Sequence, residues 1–157
     1  MAQLVLILTF IAALGSGLMA GLYFAFSNSV MSGLSRLPVP QGIAGMNHIN
    51  VVIQNPAFFA VFMGTALIAL ALAALVFFTN VPKPAWVLIG AALFLLGNIA
   101  VTIAINVPMN DALAAAAPDS AEAAKLWSVY LDRWVFWNTV RFVACTGALA
   151  AFIVALM

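Results

Sequence analysis

Polar side chains are scarce along this chain, and their scarcity is patterned. Four apolar runs, residues 4–30, 57–78, 85–107 and 134–157, are separated by one short and two long connections. A hydrocarbon core about 30 Å thick takes roughly 20 residues of helix, so each run predicts a membrane span. The short connection, Thr79-Asn80-Val81-Pro82-Lys83-Pro84, cannot continue a helix through its prolines. It predicts a tight antiparallel hairpin between the second and third spans. The expected fold is an all-α membrane protein, a four-transmembrane-helix antiparallel bundle forming a single integral membrane domain over residues 1–157.

The long connections predict structure of their own. After the break at Pro38-Val39-Pro40, residues 41–54 read as a short extra helix that ends before Asn55-Pro56. In the other, the alanine run 114–117 ends a helix, and Pro118-Asp119-Ser120 starts a new one that extends through residue 121 into the fourth span. Asp119 or Ser120 is its expected cap, and Glu122 complements its dipole. The third span is expected to stop at Pro108, releasing carbonyls near the membrane surface. The first run is read as a retained anchor, because it is too long for a signal-peptide core and lacks a basic segment before it. Gly15, Gly17 and Gly21 with Ala13 and Ala20 offer a small-residue surface for close helix contact, within the chain or between copies in a homodimer.

Within the apolar helices the polar positions form stripes. Asn98, Thr102 and Asn106 recur at four-residue spacing in the third span. Trp127, Tyr130, Trp134, Trp137, Asn138 and Arg141 recur in steps of three and four and run into the fourth span. With four spans, both long connections share one side of the membrane. Tyr23, Asn28, His48, Asn50, Asn55, Asn106, Asn110, Trp134, Asn138 and Arg141 therefore belong at one depth, with Trp127 and Tyr130 as a rim. Two readings compete for the set: a pocket at one end of the bundle, or a polar network fixing helix register beside an interfacial tryptophan belt. Arg141 has two readings as well. A guanidinium at such depth either receives a ligand's anionic oxygen, or it is neutralised by Asp111, Asp132 or free carbonyls near Pro108. His48 is the one imidazole, hence the candidate proton acceptor.

Composition narrows the chemistry. The chain is 67% hydrophobic and only 6% charged, against about 25% charged in soluble domains. A formal net charge of +1 with no Lys/Arg cluster gives no footprint for nucleic acid. One cysteine and one histidine exclude zinc fingers, thiolate clusters, CxxC pairs and multi-histidine metal sites within one chain. Cys145, among small apolar neighbours, reads as a packing thiol. Arg36, Lys125 and Arg133 on the long-connection side outnumber Lys83 opposite, which places those connections in the cytoplasm by the positive-inside count.

The segments Asn106-Val107-Pro108-Met109-Asn110-Asp111 and Trp134 to Arg141, together with Gly21 to Ser27, Met46 to Asn50 and Asn55-Pro56, resemble the anthrone oxygenase family of small integral membrane proteins, the DUF1772 proteins. The resemblance covers essentially the whole chain. It implies a four-span helical protein whose fungal relatives oxidise anthrones to anthraquinones without a recognised cofactor. It therefore implies action on a hydrophobic aromatic small molecule among membrane lipid, with no cofactor; no metal is expected from the Cys and His count, and the multi-pass pattern is expected in the bacterial inner membrane. In that reading Trp127, Tyr130, Trp134 and Trp137 stack on the substrate, and Tyr23, Asn28, Asn50, Asn55 and Asn110 complete its pocket. Arg141, Asn138 and Asn106 hold the oxyanion, and His48 removes the proton. The competing class is a non-enzymatic binder of a lipid, quinone or haem-like ligand, or an accessory subunit. A self-contained transporter is disfavoured by the lack of repeat symmetry.

Overall fold

Each apolar run becomes one helix, and most of these helices continue past membrane length into polar sequence. The computed structural model describes residues 2–157. Its elements are α1 (Gln3–Leu34), α2 (Val39–Val52), α3 (Pro56–Phe78), α4 (Pro84–Ala115) and α5 (Ala121–Leu156), with no strand among the described residues. All but α2 are long and apolar enough to cross a membrane. The protein is an all-helical, four-span, multi-pass membrane protein.

Local chemistry fixes the boundaries. Pro38 precedes α2, and Ser120 caps α5 by accepting a hydrogen bond from the Ala123 N–H at 3.0 Å. Lys83 turns the hairpin with φ 48°, in the left-handed region, and its Nζ donates to the Val154 carbonyl at 3.0 Å. That carbonyl lies in the last turn of α5, which has no intrahelical partner for it and favours a cation. The hairpin is thus tied to the far end of the bundle's longest helix.

Pro108 departs from expectation, because α4 continues through it to Ala115. The physical reason lies immediately upstream, where Thr102–Asn106 is wound as a π-helix. A proline removes one N–H and crowds the carbonyl four residues back, and a widened turn there relieves both. Two further π segments occur, Leu95–Ala100 in α4 and Phe26–Val30 in α1. All three surround the polar stripe. In a regular α-helix a four-residue step overshoots a full turn by about 40°, so a stripe at that spacing drifts around the helix. Wider turns cancel the drift and keep Asn98, Thr102 and Asn106 on the inward side.

Helix α5 is the central post, packed on α1 and α4, while α3 packs on α1 and on residues 84–100 of α4. Close approach at the α4–α5 contact requires Gly97, since a Cβ there would overlap the Ala144 methyl. Gly97→Val is expected to force the helices apart at a cost of about 1–3 kcal/mol. A lowered thermal midpoint in detergent would register it. Gly15 meets Thr65 of α3 in the same way, whereas Gly21 faces open space.

The apolar interior divides into two. One core fills the bundle around Met19, Phe62, Leu72, Phe94 and Phe152. The other lies beyond it, where Ile43 and Met46 of α2 pack on Leu113, Ala123, Trp127 and Tyr130. This second core explains why α5 begins well before its span. Between the two cores lies the polar layer.

Candidate functional site

The polar layer is built around Asn138 and Arg141, one turn apart on α5. Asn138 donates both hydrogens of its amide, to the Tyr23 carbonyl at 2.8 Å and to Ser27 Oγ at 2.7 Å. Its Oδ1 accepts from Arg141 Nη2 at 2.7 Å. Arg141 Nη1 donates to Thr102 Oγ1 at 3.1 Å. Tyr23 Oη in turn donates to Asn98 Oδ1 at 2.7 Å. These bonds join α1, α4 and α5 at one depth, next to the π segment of α1.

Arg141 is 5% exposed. Its guanidinium carbon lies 4.2 Å from the Tyr23 ring centre and 5.4 Å from that of Trp134, a placement that favours a desolvated cation. Neither Asp111 nor Asp132 pairs with it among the described residues, and its Nε–H has no partner. The charge is held by neutral oxygens and ring faces alone. A buried cation with so few compensating partners is costly, and a ligand anion beside it would offset that cost.

It faces a cavity of about 400 Å³. The walls are Tyr23 and Phe26 of α1, Ile49 and Asn50 of α2, Phe58 and Phe62 of α3, Thr102, Asn110 and Asp111 of α4, and Trp134, Asn138 and Arg141 of α5. This size and mostly apolar lining, with a few convergent polar groups, suit a small organic molecule. Asn50 Nδ2 is a second buried donor without a partner.

Trp134 is fixed from behind. Trp127, Tyr130 and Trp134 stack in sequence, with centroids 5.7 and 5.6 Å apart and planes within 16°. Tyr130 Oη and Trp134 Nε1 both donate to Asn110 Oδ1, at 2.7 and 2.8 Å. An indole N–H can only donate, so the oxygen of Asn110 is the shared acceptor and its NH₂ is left for other partners. Asn110→Leu would strand both donors, at about 1–3 kcal/mol each, whereas Tyr130→Phe should cost about 1 kcal/mol. In unfolding measurements the double variant is expected to be less destabilised than the sum of the two singles, because it strands only the indole.

Of the residues expected at this site, Tyr23, Asn50, Asn110, Trp134, Asn138 and Arg141 line the cavity. The others do not. His48 is exposed on α2, and its Nδ1 bonds the Ala44 carbonyl of its own helix at 2.7 Å. Asn28 is exposed and outside the cavity lining. Asn55 caps α3, its Oδ1 accepting from the Phe58 N–H at 3.0 Å. Trp127 and Tyr130 are buried behind Trp134 as a buttress. Asn106 is buried and donates to the Trp134 carbonyl at 3.4 Å. Trp137 lies in a separate groove with Arg133 and Pro108. Asn138 remains at the site, but with both hydrogens committed it positions Arg141 and has none left for an oxyanion.

Several cavity residues were missed as binding groups. Thr102 belongs to a visible stripe, while Phe26, Phe58 and Phe62 carry no signal that separates them from ordinary apolar packing. In the sequence, Asp111 reads as a counter-ion for Arg141. It is the one carboxylate among the cavity-lining residues. No group of three or more His, Cys, Asp or Glu side chains comes together among the described residues.

No curated protein and no solved structure matches the chain. The family model described as anthrone oxygenase matches residues 57–151, more than half of the chain. The match takes in α3, α4 and most of α5, and with them Thr102, Asn110, Trp134, Asn138 and Arg141. The polar end of this bundle is therefore set largely within the matched stretch, and the chain belongs to the anthrone oxygenase family.

Proposed function

We propose that the protein is a cofactor-independent oxygenase of a flat apolar aromatic, an anthrone or close analogue, which converts a benzylic CH₂ to a carbonyl. Arg141 carries the reading: a buried guanidinium with no carboxylate partner, facing an aromatic-walled cavity. Loss of a benzylic proton from an anthrone gives an electron-rich enolate. Arg141 receives the enolate oxygen, where charge develops, through a charge-assisted hydrogen bond in a low-dielectric site. Trp134, Phe26, Phe58 and Phe62 hold the ring system. His48 stands outside the cavity, so we assign the proton to the carboxylate of Asp111.

The rest of the reaction balances with O₂ alone. The enolate passes one electron to O₂, and the radical pair joins through a new C–O bond as a peroxide. Protonation and loss of water leave the second carbonyl. One oxygen atom ends in the quinone and the other in water. An all-helical bundle suits the inner membrane of a bacterium better than its outer membrane, where spanning proteins are β-barrels.

The test is O₂ uptake by purified protein in lipid nanodiscs supplied with an anthrone. One O₂ consumed per quinone formed, with label from isotopic O₂ in the new carbonyl, is expected. Asp111→Asn should stop turnover while leaving binding intact, and His48→Ala should retain the full rate. Wild-type protein that binds the anthrone and consumes no O₂ would be a binding protein and not an oxygenase.

A further inference from the structure

The cavity is not closed on every side. Four of its lining residues, Phe59 and Met63 of α3 and Ile103 and Val107 of α4, are also exposed on the outer surface of the bundle. Met63 is 45% and Ile103 65% exposed. The two helices that carry them are tied together by the prolyl hairpin and packed as far as Ala100, but α3 does not keep comparable packing with the rest of α4. Beyond that point they part, and α2 roofs the gap through Ile49 and Asn50. A cleft remains between them.

We propose that this cleft is a lateral portal, so that the cavity is loaded sideways from the bilayer by a membrane-dissolved amphiphile that brings its anionic or polar oxygen to Arg141. The inference rests on reading the cavity as a binding site, but not on the oxidation assigned to it. Its depth argues for lipid access. Met63 lies seven residues into α3, about 10 Å of helix from its first residue, which carries the opening into the hydrocarbon layer. Its rim is wholly apolar, so a water-borne ligand has no polar surface to follow there. An apolar molecule already in the bilayer reaches the cavity without crossing water, and its acceptor oxygen finds the unpaired Arg141 Nε–H and Asn50 Nδ2 donors at the inner end. The polar exposed members of the lining, Gln54 and Asp111, lie at the interfacial end and serve water and proton exchange instead.

Trp134 reports on this route, because it lines the cavity at 4% exposure. Its emission is isolated as the difference between wild-type protein and Trp134→Phe, with Trp134→Tyr as a second reference in case the first variant folds poorly. In nanodiscs of chain-brominated phosphatidylcholine, that emission is expected to fall by half or more relative to the unbrominated lipid. Met63→Phe with Ile103→Phe, both at exposed positions, should plug the cleft and restore most of it. Equal emission in the two lipids overturns the portal, as does quenching that the plugged variant leaves unchanged. A protein that shows the plug-sensitive quenching but no anthrone turnover has the portal without the proposed oxidation. One that turns over anthrone without such quenching has the oxidation and another entrance.

Discussion

Arg141→Met is expected to lower anthrone-dependent O₂ uptake about 100- to 1,000-fold, the range found when one donor to a developing oxyanion is removed. Its thermal midpoint in detergent should stay close to that of the wild type. The two parts of this expectation come from the same geometry. The arginine gives up its hydration for Asn138 Oδ1, Thr102 Oγ1 and two ring faces, without a carboxylate to neutralise it. Replacing this poorly compensated buried charge by an apolar side chain of similar length removes its desolvation cost, which offsets the loss of a donor at Asn138 Oδ1. Were the residue a structural clamp, the methionine variant would unfold first and its residual rate would follow the folded fraction. Arg141→Lys should rescue little, since an ammonium cannot bond Asn138, Thr102 and a ligand oxygen from one planar fork.

Asn138→Leu is expected to be the most destabilising change in the polar layer, by about 3 kcal/mol or more. It removes the side-chain partner of the Tyr23 carbonyl and of one arm of Arg141, both buried residues, and leaves Ser27 Oγ with Thr139 Oγ1 alone. Asn138→Asp separates structure from function. The aspartate keeps an acceptor for Arg141 Nη2 and adds a carboxylate that neutralises the guanidinium, so the fold should suffer less than in the leucine variant. The ligand's oxyanion would then meet an arginine already paired. Binding of an aromatic acid such as anthracene carboxylate, followed by energy transfer from tryptophan, should be lost in Asn138→Asp even where the protein is well folded. Retention of that binding would mean that the charge of Arg141 is not what the cavity offers.

The spans were legible because membrane length is a strong constraint and four runs of apolar sequence meet it. The convergence of polar residues followed from counting spans, and Arg141, Trp134, Asn138, Tyr23, Asn50 and Asn110 do meet. Assigning neighbours to the same wall went wrong where helical geometry forbids it. Trp137 and Asn138 are adjacent, hence about 100° apart, and only Asn138 turns inward. His48 and Asn50 are two apart and face different ways, so placing both in one pocket was inconsistent. Asn55 before Pro56 already spelled a helix start, a cap followed by proline at the first turn, and its role as a cap could have been read from those two letters. The passage of α4 through Pro108 is signalled only indirectly, by the four-residue spacing of Asn98, Thr102 and Asn106 that a regular α-helix would let drift.

The π segments have a consequence for comparing this protein with its relatives. Each behaves as an inserted residue in an α-helical rod, and taking one residue out of α4 between Asn98 and Asn110 would turn everything beyond it by about 100°. Asn110 and Asp111 would swing off the cavity wall, and Tyr130 and Trp134 of α5 would lose their shared acceptor, although every site residue were kept. A one-residue gap in this segment therefore acts like a turn of a screw, and the count of residues from Asn98 to Asn110 is as much a part of the site as the residues themselves.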